Sequence, residues 1–240
     1  MTTRALVFGA TGYTGHHVVM ALRDQGVDTV AHVRPDSVSG ESWERRFASY
    51  GATVVRAGWT QPDISALLLE TEPTWVFGLL GTTKKRRKAL VAKGGDGAQE
   101  TYESVDRDLT LMTITAACAL ESRPLYVYLS SLGAAEAARL PYLRVRGEVE
   151  RRLVESGLAH VIAQPGFISG PDRPEDRPLE RVGSIVSDGA LSALAALGVT
   201  SPRDRWASIS GETLARSLVE AAKQANASAR VTLVSRDLRI

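Results

Sequence analysis

Gly9-Ala10-Thr11-Gly12-Tyr13-Thr14-Gly15 is the stretch whose reading decides the fold. It follows a short apolar run, residues 5–8, and leads into residues 13–25, which have helical spacing. Val18, Val19 and Leu22 share one face of that helix, and Gly26 stops it. A buried strand, a glycine turn and a helix in this order open a βαβ unit, and this context lifts a glycine pattern above an ordinary Gly-rich turn. The three glycines meet three demands: a tight bend, close approach of a pyrophosphate to the backbone, and close helix–strand packing. The helix start then offers amide N–H groups and partial positive charge to phosphate. Gly9, Thr11, Gly12, Tyr13, Thr14 and Gly15 are therefore candidate dinucleotide-binding residues.

Working outward, strand-like runs alternate with helical ones along the chain. Strands are expected over residues 29–33, 53–55, 74–80, 125–129, 158–163 and 230–234. Helices are expected over 41–50, 63–71, 84–92, 103–121, 141–156, 184–197 and 211–224, with a flexible break at 94–97. This alternation implies an α/β fold, a Rossmann-type doubly wound parallel sheet with helices on both faces. The 240 residues fit one domain, with residues from about 165 to 240 expected on the substrate side.

Bulk properties narrow the function. With 29 basic and 27 acidic residues, the net charge of +2 argues against a dedicated nucleic-acid binder. Cys118 is the single cysteine, so an intrachain disulfide and a cysteine metal cluster are excluded. His16 and His17 are adjacent and point to different sides of an element, a poor metal pair, and no metal is expected. No apolar run reaches the ~20 residues of a membrane span, and the start of the chain lacks a signal-peptide core. A cytoplasmic location is the expectation.

The second strand bears on the cofactor. NAD binders commonly place an acid about 20 residues past the glycines to hold the ribose 2′-hydroxyl. Residues 29–33 carry no acid and are followed by Arg34, whose guanidinium suits a 2′-phosphate that a carboxylate would repel. NADP(H) is thus the expected cofactor. NAD(H) stays open because Asp36 lies two residues on, and Arg34 also reads as a solvated surface residue.

Further along, Ser130-Ser131 ends a strand in the second half of the sheet, and Tyr142 and Arg146 are spaced i, i+4 on one helix face. Together with Gly81-Thr82-Thr83, Val105-Asp106-Arg107-Asp108, the run Tyr142-Leu143-Arg144-Val145-Arg146-Gly147-Glu148-Val149-Glu150 and Gln164-Pro165-Gly166, these residues carry a resemblance over roughly residues 4–200. The chain resembles the atypical short-chain dehydrogenase/reductases, and among them the Tat-interactive-protein-like oxidoreductases. That resemblance implies an NADP(H)-linked oxidoreductase. By it, Tyr142 acts as general acid, Ser131 steadies the substrate oxygen, and Arg146 stands where the family places a lysine that assists the tyrosine and binds the nicotinamide ribose. Leu79, Leu80, Gly81, Thr82 and Ser130 line the cofactor path, and Pro165, Gly166 and Ile168 border the nicotinamide. A homodimer through the helices at 103–121 and 140–156 follows the same family habit.

Arginine is not equivalent to lysine, because its planar fork differs from a compact ammonium. Read from the residues alone, Tyr142 and Arg146 also fit an exposed helix face with an Arg146–Glu150 pair. Two functions therefore stand side by side: hydride transfer to or from a small carbonyl or alcohol, and a catalytically weak NADP(H)-binding sensor or interaction protein. The substrate itself is not legible. The run Lys84-Lys85-Arg86-Arg87-Lys88 reads as a solvated or cofactor-linked edge rather than a nucleic-acid site. The loop 173–178 is expected to cover the substrate, and the four tryptophans are expected to pack.

Overall fold

The computed structural model describes residues 3–37, 39–169 and 209–239. Seven parallel strands form one sheet in the order β3-β2-β1-β4-β5-β6-β9. They are β1 (Arg4–Phe8), β2 (Asp28–His32), β3 (Thr53–Val55), β4 (Trp75–Gly78), β5 (Leu125–Leu129), β6 (His160–Gln164) and β9 (Arg230–Val234). The order reverses between β1 and β4, which pair from Ala5 opposite Trp75 to Phe8 opposite Gly78. A ligand crevice is expected at the carboxyl edge beside that switch point.

Side chains on β1 divide the core. Ala5 and Val7 pack with α1 (Tyr13–Asp24) and with α7 (Gly211–Gln224), which lies along α1. Leu6 and Phe8 point the other way, into a layer supplied by α3 (Gln61–Thr71), α5 (Thr110–Ala119) and α6 (Pro141–Glu155). A parallel strand buried on both faces reads as a continuous apolar run, which explains residues 5–8. Phe8, Phe77 and Tyr126 are fully buried, and truncating such a phenylalanine to alanine costs about 3–5 kcal/mol.

Helix ends follow local chemistry. α1 closes on Gly26 at φ +71°, with Val27 N–H donating to Leu22 carbonyl at 3.0 Å. α3 starts at Thr60, whose hydroxyl accepts from Asp63 N–H, with Pro62 in its first turn. α2 (Gly40–Ser49) and α4 (Lys84–Ala92) fill the positions expected for them.

Three expectations need correction. The single helix read over 103–121 is a π-helical segment, Tyr102–Leu109, running into α5. A Thr101–Ser104 capping box starts it, and the wider turn swings Asp106 into the interior. The strand read over 74–80 ends at Gly78, leaving Leu79 and Leu80 as loop. The break at 94–97 passes into a 3₁₀ turn, Gly97–Glu100, capped by Asp96.

Of the stretch from 165 to 240, the described part supplies β7 (Ile168–Ser169), β8 (Ile209–Ser210), α7 and β9. β7 and β8 form a separate parallel pair. The expected lid at 173–178, the helix at 184–197 and Trp206 lie outside the described residues.

Candidate functional site

The glycine turn sits at the carboxyl end of β1. Gly9 adopts φ +78°, and a Cβ there would stand 2.6 Å from the Leu79 carbonyl oxygen, so only glycine fits on both counts. Gly12 N–H donates to Gly9 carbonyl at 2.9 Å and closes the turn. Gly15 approaches from the first turn of α1, and a Cβ on it would lie 2.0 Å from the Gly9 carbonyl oxygen. Among the described residues no side chain caps α1, and its first turn holds no acid. The helix end therefore presents its partial positive charge outward at the switch point. Thr14 is buried and Thr11 half-buried. Tyr13 donates from its hydroxyl to Ser169 carbonyl at 3.2 Å, with its ring edge-on to His17. That bond ties the turn to β7, which holds Ile168.

Arg34 follows the carboxyl end of β2 and is half-exposed, with its Nε 3.8 Å from Asp36 Oδ1. Its neighbour His32 is buried, with Nε2 2.9 Å from Ala57 carbonyl, and burial lowers its pKa. Arg34 and the glycine turn thus share one end of the crevice.

At the other end, β4, β5, the π-helical segment and α6 converge on Arg146. This side chain is only about 5% exposed. Its Nη2 donates to Asp106 Oδ1 at 2.6 Å and to Leu80 carbonyl at 2.9 Å. Its Nη1 donates to Leu129 carbonyl at 2.5 Å and to the Tyr128 hydroxyl at 3.3 Å. Arg146 Nε is buried with no hydrogen-bond partner among the described residues. Burial opposes the guanidinium charge, yet Tyr128, Tyr142 and Asp106 outweigh it and hold the group protonated. Burial pushes the Tyr128 phenol upward, and Arg146 pulls it back in part.

The exposed Arg146–Glu150 pair open to sequence reading is therefore absent. Arg146 faces inward to Asp106, and Glu150 turns to other partners: Ser130 Oγ donates to it, and Gln164 Nε2 donates to both its oxygens at 2.9 Å. Burial raises the Glu150 pKa, against the pull of these donors. Ser130 is consequently an inward-facing residue.

Tyr142, in the first turn of α6, is half-buried, with Arg146 Cζ 5.3 Å from its ring centroid and the Tyr102 ring at 5.3 Å. Ser131 is half-buried at the start of the excursion that leads back to α6. That excursion is held close: a Cβ on Gly147 would lie 2.4 Å from Ala135 backbone carbon, and Ala135 N–H donates to Leu143 carbonyl at 3.3 Å. Leu132 N–H bonds Pro165 carbonyl at 2.9 Å, and Gly166 N–H bonds Ser235 Oγ at 2.7 Å, which join the loops after β5, β6 and β9.

Sequence reading did not single out Asp106 or Glu100 as site residues. Asp106 is fully buried and bonds both Arg146 and, at 2.8 Å, the Thr82 N–H. Glu100 accepts from the Thr82 hydroxyl and pairs with Arg86 Nε at 3.3 Å. Asp106 lies within the run Val105-Asp106-Arg107-Asp108 that carries the family resemblance, whereas Glu100 carries no signal in the sequence.

Comparison with known proteins agrees with this architecture. A family described as NAD(P)H-binding matches residues 9–193. Two relatives named as mitochondrial proteins match at 29% identity. FMP52 of Coccidioides immitis aligns over 79% of this chain and 75% of its own, and fmp52-1 of Aspergillus terreus over 94% and 89%. These names overturn the expectation of a cytoplasmic location, which rested only on what the sequence lacked. Among solved structures, a putative NAD-dependent epimerase/dehydratase from Bacillus halodurans superposes with a TM-score of 0.67 at 18% identity, covering 98% of each chain, which shows a shared fold. With the glycine turn after β1, the reversal of strand order beside it and this match over most of its length, the chain belongs to the NAD(P)H-binding family and has a Rossmann-type fold.

Proposed function

We propose that the chain is an NADP(H)-linked oxidoreductase acting on a carbonyl or alcohol carbon of a small substrate. The observation that carries this reading is the start of α1 at the switch point, acid-free and uncapped among the described residues, and packed so tightly on the turn that neither Gly9 nor Gly15 admits a side chain. Such an end fits a pyrophosphate, and the residues around it fit the rest of the group. Gly12 and the first turn of α1 would hold the phosphates, and Arg34, with no acid on β2 beyond Asp28 at its start, would favour a 2′-phosphate. Leu79, Leu80, Gly81 and Thr82 would line the path toward Tyr142. When bound, the nicotinamide supplies or accepts the hydride.

The chain's own residues then handle the proton and the oxygen. Tyr142 gives its hydroxyl proton to the substrate oxygen in the reducing direction, and Ser131 donates a hydrogen bond to that oxygen. Arg146 contributes a fixed positive charge beneath the Tyr142 ring. NADPH consumption across a panel of aldehydes and ketones tests the activity. Tyr142→Phe is expected to lower turnover at least a hundredfold, the usual range for a proton donor; unchanged turnover rules out that role.

One observation favours the second reading, an NADP(H)-binding sensor: Arg146 is engaged by four protein groups. Cofactor binding without turnover, together with a partner whose affinity changes on NADP(H) saturation, supports it, and linkage requires the effect to be reciprocal.

A further inference from the structure

We infer that Asp106 is a positioning residue that sets the nicotinamide half of the cofactor crevice, acting through Thr82 and Arg146. The inference rests on the NADP(H) reading above. Three facts carry it. First, the Asp106 carboxylate spends both oxygens on the crevice wall: Oδ2 takes the Thr82 N–H at 2.8 Å, and Oδ1 takes Arg146 Nη2 at 2.6 Å. Secondly, the guanidinium so held bridges Leu80 carbonyl after β4 and Leu129 carbonyl at the end of β5, fixing the separation of the two strand ends that flank the crevice. Thirdly, a second buried carboxylate, Glu100, takes the Thr82 hydroxyl, so this threonine is gripped at both its amide and its side chain.

The geometry has little slack. A Cβ on Gly81 would stand 2.8 Å from Arg146 Nη2, so the loop lies directly on the guanidinium. Asp106 reaches this place because it sits in the π-helical segment, whose wider turn projects it inward. A neutral side chain at 106 would leave Arg146 as a buried charge without its counterion, and bonds to charged groups are the costly ones to lose. The effect should be local. Gly9 follows β1, Gly15 lies in α1 and Arg34 follows β2, whereas the Asp106 bonds run to Thr82 after β4 and to Arg146 on α6.

The test separates the two halves of the cofactor. Binding of NADPH and of 2′-phosphoadenosine diphosphate ribose, which lacks the nicotinamide, is measured for the wild type, Asp106→Asn, Arg146→Lys and Thr82→Val, with a thermal melt of each variant. Asp106→Asn is expected to weaken NADPH about tenfold, or ~1.4 kcal/mol, and to leave the fragment within twofold. Arg146→Lys keeps the charge but cannot span both carbonyls, and should show the same split. Thr82→Val keeps the amide bond to Asp106 and loses only the Glu100 bond, so its NADPH loss should be smaller. If the wild type binds neither ligand, the NADP(H) reading itself fails. If it binds both, and the variants weaken both equally in step with melting temperature, or neither, Asp106 is only structural and the inference is overturned. Should Asp106→Asn not fold, Arg146→Lys decides the matter by the same split.

Discussion

Replacing Gly15 by alanine probes the contact on which the cofactor end of the fold depends. The added Cβ would lie 2.0 Å from Gly9 carbonyl oxygen, 2.8 Å from Gly9 carbonyl carbon and 2.9 Å from Ala10 Cα. All three are backbone atoms, so no side chain can rotate away. Relief needs about 1 Å of separation before the closest contact reaches the 3.0 Å below which real Cβ atoms essentially never come. That motion must be taken up by α1, which is wedged between β1 and α7, or by the turn, whose Gly9 is fixed at φ +78° against Leu79. Overpacking of this kind costs typically 1–3 kcal/mol, and a rigid backbone contact belongs at the upper end. At about 2–4 °C per kcal/mol for a chain of this size, the melting temperature should fall by roughly 6–12 °C. The helix start would move with α1, so NADPH binding should weaken by at least tenfold at a temperature where the variant is still folded. Differential scanning calorimetry and fluorescence titration report the two effects. A variant melting within about 2 °C of the wild type with unchanged NADPH affinity would refute the close-packing account.

Other expectations follow from the same geometry. Arg34→Ala should reduce NADPH affinity about tenfold and leave NADH nearly unchanged, as read by parallel titrations; equal losses for both would remove Arg34 from phosphate recognition. The raised pKa of Glu150 means that the folded state favours its protonated form, so its contribution is fullest below the unfolded value of 4.5 and is lost as pH rises through the higher folded value. Glu150→Gln should therefore gain stability relative to wild type as urea melts move from pH 4 to pH 7. His32 works in the opposite direction: its lowered pKa gives stability that is present above 6.5 and lost as pH falls through the folded value. A His32→Gln variant should show a flatter stability profile between pH 7 and pH 5.

The architecture was readable because its signals are local. The Gly9–Gly15 spacing, the buried run before it and the apolar stripe of α1 each follow from neighbours in sequence, and the sheet order then follows from right-handed βαβ connections. What escaped reading depends on distant partners. The stripe Val105, Leu109, Met112 and Ala116 fits a regular helix and sets Asp106 on its flank. Only the π-helical turn, held by the pull of Arg146 and Thr82, brings that acid inside. The i, i+4 spacing leaves an Arg146–Glu150 pair open as an alternative, but the ends of β5 and β6 offer Glu150 Ser130 and Gln164 instead. Glu100 lies in a Gly-rich stretch with no periodicity, and its role appears only when the loop after β4 folds back on it.

The arginine at 146 has the largest functional consequence. In sequence it looks like a lysine site with one defect. In the structure it is half of a pair, since a buried guanidinium without Asp106, or a buried Asp106 without the guanidinium, would be an uncompensated charge costing about 3–5 kcal/mol. The fork also meets two backbone carbonyls on different strands while bonding the carboxylate, a spread that an ammonium on a single carbon stem does not match. Restoring the family's lysine should therefore harm the site. Arg146→Lys is expected to lose about 1–3 kcal/mol of stability, because a buried acceptor is left unpaired, and to turn over no faster than wild type on any substrate found in the carbonyl panel. Faster turnover by this variant would mean that position 146 retains the proton chemistry of a lysine site and that the Asp106 pair is incidental. Slower turnover that Asp106→Asn does not relieve in the double variant would mean that the arginine and its carboxylate replaced the lysine together, as one unit of the crevice wall.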